Sequence, residues 1–252
     1  MTTTQEASRP ARWIKLSLIV IAVILMSIIF SPLLFRTFLF QPFNIPAASM
    51  VPTLLVGDYL FVSKYAYGYT HYSLPFSPRL FSGRIFGSAP LRGDVVVFRS
   101  PKNDSDDYIK RVVGLPGERI QVKQGLLYIN GTPVARQRLT DFAGEEPCGL
   151  NPNAGTKRWR ETLPNGVSYE TLDCVDNGFY DNTNVYTVPA GHFFMMGDNR
   201  DNSTDSRVLS SMGYVPLENI VGRAGLIFFS RSPGSTTAAP AVRSERIGMV
   251  VH

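Results

Sequence analysis

The sequence predicts a mainly β protein: antiparallel sheets forming a partly open, barrel-like domain with a smaller β excursion, set behind one N-terminal transmembrane helix. Three observations predict it. Residues 16–35 (LSLIVIAVILMSIIFSPLLF) carry no charge. Beyond them come short segments rich in β-branched and aromatic residues, bounded by Gly, Pro, Asn or Asp. No long stretch after the apolar run carries the periodicity of an amphipathic helix.

The apolar run comes first. Its 20 residues, at a rise of about 1.5 Å each, match a hydrocarbon core about 30 Å thick. Trp13 sits where interfacial aromatics are favoured; Arg9, Arg12 and Lys15 precede the span and only Arg36 closely follows it. The positive-inside rule then puts residues 1–15 in the cytoplasm and everything from residue 36 outside. A cleaved signal peptide is the alternative. Its apolar core runs to only about 7–15 residues, and the nearest cleavage-like stretch, PAAS, does not follow at once.

The exported strands follow in order. Residues 59–64 (YLFVSK), 94–98 (DVVVF) and 108–113 (YIKRVV) read as strands. Residues 119–123 and 126–130 flank Gln124-Gly125 as a hairpin, with Asn130-Gly131 as the next turn. Residues 192–196 (HFFMM) and 224–229 (AGLIFF) complete the set. Two excursions interrupt the domain at 65–92, rich in Tyr, Phe and Gly, and at 140–184, which holds both cysteines. The domain is thus expected over 36–230, and 231–252 reads as a flexible tail by composition.

Charge and cysteine content exclude several classes. The formal charge is +5, but residues 1–36 hold four of the basic residues against Glu6. The rest is nearly balanced, with no basic stripe to follow phosphates, so no nucleic-acid partner is expected. Cys148 and Cys174 lie in the exported part, where a disulfide is permitted; two buried thiols are equally compatible. There is no CxxC, no HExxH and only three histidines, so no metal is expected.

Three stretches carry candidate chemistry. In "NIPAASMVPTL" Ser49 stands among Pro46, Ala47, Ala48, Met50 and Pro52, small and rigid neighbours that let another backbone come close. A nucleophilic serine needs a base. His71 and His192 are available, but each reads more readily as a surface or packing residue, and no G-x-S-x-G elbow exists. Lys110, in "DYIKRVVGLPGE", is the other candidate. Alternation puts Tyr108, Lys110 and Val112 on one strand face and Ile109, Arg111 and Val113 on the other. An apolar setting lowers a lysine's pKa; a drop of about 3 units, costing about 4 kcal/mol, gives a useful neutral fraction at pH 7. A snorkelling edge lysine is the plainer alternative. The third stretch, "MGDNRDNSTDSR", packs Asp198, Arg200, Asp201, Asp205 and Arg207 into a loop leaving an apolar strand. An Asx-turn, a calcium loop and a salt-bridged turn all fit it, although the twelfth position from Asp198 is Leu209 rather than the Glu of an EF-hand.

Together these stretches resemble bacterial signal peptidase I, the leader peptidases that use a serine–lysine dyad. The matching motifs are "IPAASMVPTLLVGDYLFVSK", "RGDVVVFRSP", "YIKRVVGLPGE" with "LYINGTPV", and "GDNRDNSTDSR", in family order. The resemblance implies Ser49 as nucleophile, Lys110 as general base and Ser203 as the hydroxyl orienting Lys110. Asp205 and Arg207, with Arg111, would brace the site. Phe43, Ile45, Met50, Leu54, Val97, Tyr108 and Ile109 match positions lining shallow substrate pockets for alanine-sized side chains, though ordinary core packing also explains apolar residues there. One departure is Ala47, where many members carry a serine that helps bind the oxyanion; losing one such donor costs about 3 kcal/mol. The implied activity is removal of signal peptides from exported preproteins after an A-x-A-like site, without metal or cofactor. The implied location is the inner membrane, single-pass, with the catalytic domain periplasmic, in contact with membrane lipid and near the secretion machinery. The aromatic segment 65–86 is expected to touch the bilayer. A non-catalytic tethered scaffold and a peptidase dedicated to few substrates are the rival readings.

Overall fold

A computed structural model describes residues 9–74, 76–144, 148, 155–234 and 239–252. The chain opens with helix α1, Arg9–Phe38. From Trp13 to Phe38 it is apolar on every side and long enough to cross a membrane. An all-round apolar helix needs a core or a bilayer around it, and here its side chains are exposed from Trp13 to Arg36. The helix runs through Pro32, past the expected stop at residue 35. Thr37 Oγ1 donates to Leu33 O at 2.7 Å in its last turn.

The strands follow as β1 (Phe40–Asn44), β2 (Asp58–Ser63), β3 (Val95–Arg99), β4 (Asp107–Gly114), β5 (Arg119–Lys123), β6 (Leu126–Ile129) and β7 (Thr132–Pro133). Then come β8 (Ala135–Arg138), β9 (Lys157–Thr162), β10 (Ser168–Asp173), β11 (Tyr186–Thr187), β12 (His192–Met196), β13 (Val215–Pro216) and β14 (Ile220–Ser230). They form three antiparallel sheets: a seven-stranded one ordered β1-β2-β14-β3-β4-β12-β13, a ribbon β10-β9-β8, and β11-β5-β6-β7. The large sheet does not close on itself; β1 and β13 are its edges among the described strands. The β5–β6 hairpin forms at Gln124-Gly125, where both residues take positive φ, as do Asn130 and Gly131 at the next turn. That pair of left-handed residues is what a type I′ hairpin turn requires.

Period-two burial sets the core. Val95 and Val97 pack with Ile45, Met50, Leu54 and Leu60 on one face of β3. Val96 and Phe98 pack with Val112, Met195 and Ile220 on the other. A further cluster joins β5 and β6 to Leu163, Tyr169 and Phe194.

The structure departs from the expected outline at three places, the two excursions and the tail, and it decides the open state of the cysteines. Among its described residues the excursion at 65–92 forms no strand; two short 3-10 turns and one bridge, Tyr69 to Ile85, organise it. The second excursion does hold a hairpin, β9–β10, but its third strand, β8, starts at Ala135, before residue 140. Cys148 and Cys174 are joined as a disulfide, with Cα atoms 6.2 Å apart.

The tail is the third change. Of the stretch expected to be a flexible tail, residues 239–252 fold back onto the domain. Arg246 donates to both carboxylate oxygens of Asp58, which is wholly buried. Arg243 bonds Ser230 Oγ and Val56 O. Val251 N donates to Gly225 O at 2.9 Å and Val250 bridges Leu226, so the tail lies alongside the later part of β14. A buried carboxylate needs a cation and hydrogen bonds, and the tail supplies them.

Candidate active site

The Ser49 segment is a single 3-10 turn, Ala48–Met50, with Ala47 extended before it. Met50 and Leu54 sink into the core and fix the turn from below. A second clamp comes from Asn199, whose backbone N–H donates to Ser49 O at 3.1 Å and whose Nδ2 donates to Ala48 O at 3.2 Å. First-turn amides have no partner within a helix, so the Ser49 N–H is left for an outside acceptor.

Lys110 projects from β4 towards this turn. Its Nζ lies 2.6 Å from Ser49 Oγ and 2.9 Å from Ile109 O. The side chain is only 3% exposed. Burial pushes its pKa down to about 8, while the charges of Asp205 and Asp198 hold it up. A neutral amine at hydrogen-bond distance from a hydroxyl is what a general base needs: reach first, then a pKa near working pH.

Residues 197–207 support both groups. Burial alone raises the Asp205 pKa, but the Arg207 guanidinium wins and holds it below the usual carboxylate value. The pair is bidentate, with both N–H···O distances 2.8 Å. Asp205 Oδ2 also accepts from Gly197 N at 3.1 Å. Gly197 cannot carry a side chain here: a Cβ would lie 2.3 Å from Ser203 Oγ and 2.6 Å from Ser49 O.

Arg111 points away from Lys110, as alternation requires, and is fully buried. It braces a different carboxylate from Arg207, pairing with Asp198 through bonds of 2.8 and 2.7 Å. It also donates to Gly93 O and to His252 O of the folded-back tail. Thr53 Oγ1 donates to the same Asp198 at 2.5 Å. Charge-assisted bonds of this kind are the stronger class.

Other expected residues fall less simply. Ser203 Oγ is buried at the site and has no hydrogen-bond partner; it makes no bond to Lys110, whose bonds go to Ser49 and Ile109. Of the seven expected pocket residues, Ile45, Met50, Leu54 and Val97 are closed into the core, while Phe43, Tyr108 and Ile109 keep some exposed surface. His71 lies beside Glu218 at 3.5 Å and His192 against Ala190 O, so neither serves Ser49. Among the described residues no group of three or more His, Cys, Asp or Glu is placed to hold a metal.

Sequence reasoning missed Asn199, Thr53 and the Asp198–Arg111 pair. The last had a signal: an arginine on the strand face opposite Lys110, inside a domain, demands a carboxylate.

Comparison with known proteins adds the following. A model of the family described as "Signal peptidase, peptidase S26" matches residues 11–229. Signal peptidase I of Rickettsia typhi is 44% identical over 199 residues, covering 75% of this chain and 72% of that protein. Signal peptidase I of Rickettsia conorii is 45% identical over 199 residues, covering 75% and 71%. A crystal structure of a signal peptidase I from Enterococcus faecalis covers 54% of this chain and 97% of its own at 27% identity, with a TM-score of 0.31, too loose a likeness to argue from.

Proposed function

This chain belongs to the signal peptidase family, peptidase S26, and from that premise we propose that Ser49 is its nucleophile and Lys110 its general base. The protein is a membrane-anchored serine endopeptidase that cleaves signal peptides from preproteins. The observation that carries the residue assignment is the 2.6 Å contact between Ser49 Oγ and a buried Lys110 Nζ.

Lys110 accepts the Ser49 proton as Oγ attacks the scissile carbonyl carbon. The oxyanion forms against the Ser49 N–H, with Ala47 offering no second hydroxyl. Lys110 then gives its proton to the leaving amine, and the acyl-enzyme remains. A water loses its proton to Lys110 and attacks the ester carbonyl, and Lys110 returns that proton to the departing Ser49 Oγ, freeing the signal peptide and the serine. Ser203, with an unpartnered buried hydroxyl, orients the amine when Lys110 is neutral and has an N–H to spare. Asp205, Arg207 and Arg111 hold the loop and strand in place.

The substrate lies along β4. Pairing of β4 with β12 begins at Arg111, so residues 107–110 have only β3 as a partner among the described strands. An extended peptide adds there as a strand, past Ala47 and Ala48, and Phe43, Tyr108 and Ile109 meet its small side chains at an A-x-A-like site. Ile45, Met50, Leu54 and Val97 shape that floor from beneath.

The enzyme sits in the inner membrane with residues 1–15 cytoplasmic and the catalytic domain, 36–230, periplasmic, touching lipid and working beside the secretion machinery. Tethering raises the effective concentration of membrane-bound substrates. The test is cleavage of a purified preprotein by wild type, Ser49→Ala and Lys110→Ala, with N-terminal sequencing of the product. Cutting after an A-x-A-like site, lost in both variants, is expected; retained cutting in either overturns the dyad.

A further inference from the structure

Where the spanning helix meets the β domain, the end of the seven-stranded sheet and the excursion at 65–92 enclose a cavity of about 520 Å³, within the size range of small-molecule sites. It lies apart from Ser49 and Lys110. Leu33 and Arg36 of α1 line it together with Lys64, Arg99, Asp104 and Asp107.

The charges in this cavity are unevenly matched. Asp107 is taken by Arg99 at 3.2 Å. Asp104 accepts from Arg79 at 2.8 Å and from Tyr72 at 3.0 Å. Arg36 and Lys64 are left over, for among the described residues neither forms an ion pair. Lys64 is the unusual one: only 3% exposed, it gives one hydrogen bond, to Ser73 O at 2.7 Å, and keeps its other donors. Buried charges are ordinarily paired. Its pKa is down to about 8, through burial first and the repulsion of Arg36 second, with Asp107, already paired to Arg99, raising it in part.

We propose that this cavity binds the phosphodiester of a phospholipid headgroup between the Arg36 guanidinium and the Lys64 ammonium. An anion there turns two repelling cations into a clamp and accepts the unused Lys64 donors. The apolar surroundings point to a lipid over a free phosphate ester. Leu33, on the same wall, belongs to the membrane-spanning helix. Phe76, also on the wall, is fully exposed, and nearby Leu80 is 76% exposed. Acyl chains leaving the cavity along α1 would cover such surface.

The test is binding of short-chain dihexanoyl phosphatidylglycerol to the detergent-purified full chain, by calorimetry, beside inorganic phosphate alone. Lys64→Met and Arg36→Gln are each expected to weaken lipid binding about tenfold or more, the scale of a lost charge-assisted hydrogen bond. Cleavage of a soluble peptide by each variant reports folding. Arg36 is exposed, so its variant answers even if Lys64→Met does not fold. Unchanged lipid affinity in a folded variant overturns the site. Inorganic phosphate binding as tightly as the phospholipid overturns the lipid assignment in favour of a free phosphate ester.

Discussion

Lys64 and Lys110 are equally closed off from solvent, and burial pushes both ammonium groups down to about 8. Their neighbours differ. Lys110 faces a serine hydroxyl, with Asp205 and Asp198 near enough to hold its pKa up. Lys64 faces a backbone carbonyl and Arg36, with Asp107, itself paired to Arg99, raising its pKa in part, and among the described residues no hydroxyl is hydrogen-bonded to it. The same desolvation thus yields a candidate base in one place and a candidate anion clamp in the other. A depressed lysine is a signal only when read with the atom it touches.

The largest effect separates the two directly. Lys110→Met is expected to lower kcat/KM on a soluble peptide by on the order of 10⁴-fold, and Lys64→Met to leave it within about twofold. Comparable losses from both would break the comparison. Next in size is Gly197→Ala, whose Cβ has no room beside Ser203 Oγ and Ser49 O. Displacing the nucleophile by under an ångström should cost about 10²-fold in kcat, alongside a fall in melting temperature from the buried clash; a rate near wild type would place the tight packing elsewhere.

A smaller effect lies in the pH profile. The base must be neutral, and the neutral fraction of Lys110 falls as pH drops below about 8. The kcat/KM is therefore expected to fall about tenfold per pH unit below that value and to level off above it. Lys64→Met should leave the inflection in place, and its disappearance in that variant would reassign it. Smallest is Asp205→Asn. Asp205 raises the Lys110 pKa, so its removal should move the inflection to lower pH. A shift to higher pH would mean that Asp205 does not hold up the Lys110 pKa.

The apolar helix and most strands are legible in the sequence because they rest on local pattern, whereas the Ser49–Lys110 meeting, across 61 residues, is expected only from the family resemblance. An uncharged run, alternation with turn residues, and motifs of fixed spacing need no knowledge of distant chain. What stayed hidden depends on long-range pairing. The tail reads as a linker from its Ser, Gly, Pro and Ala content, and nothing local says that Arg243 and Arg246 serve Asp58. Arg111 was read beside Asp205 and Arg207, yet the fold gives it Asp198. Alternation predicted two faces for β4, but not that Ile45, Met50, Leu54 and Val97 would be sealed beneath the site. Ser203 lies at the site as the resemblance implies, but its Oγ is buried there without a hydrogen-bond partner, which spacing does not reveal.

The tail contact has a consequence in time. Asp58 and Arg246 are 188 residues apart, and a ribosome releases the chain N-terminus first. Until residue 246 emerges, the carboxylate at the head of β2 has no bidentate partner, and β2 cannot settle beside β14 at full stability. Closing so long a loop is slow. The Arg111 contact with His252 O belongs to the same late step. The support beneath the Ser49 turn is therefore completed last, and a nascent chain carries its serine and lysine for most of its synthesis before the frame that aligns them is whole.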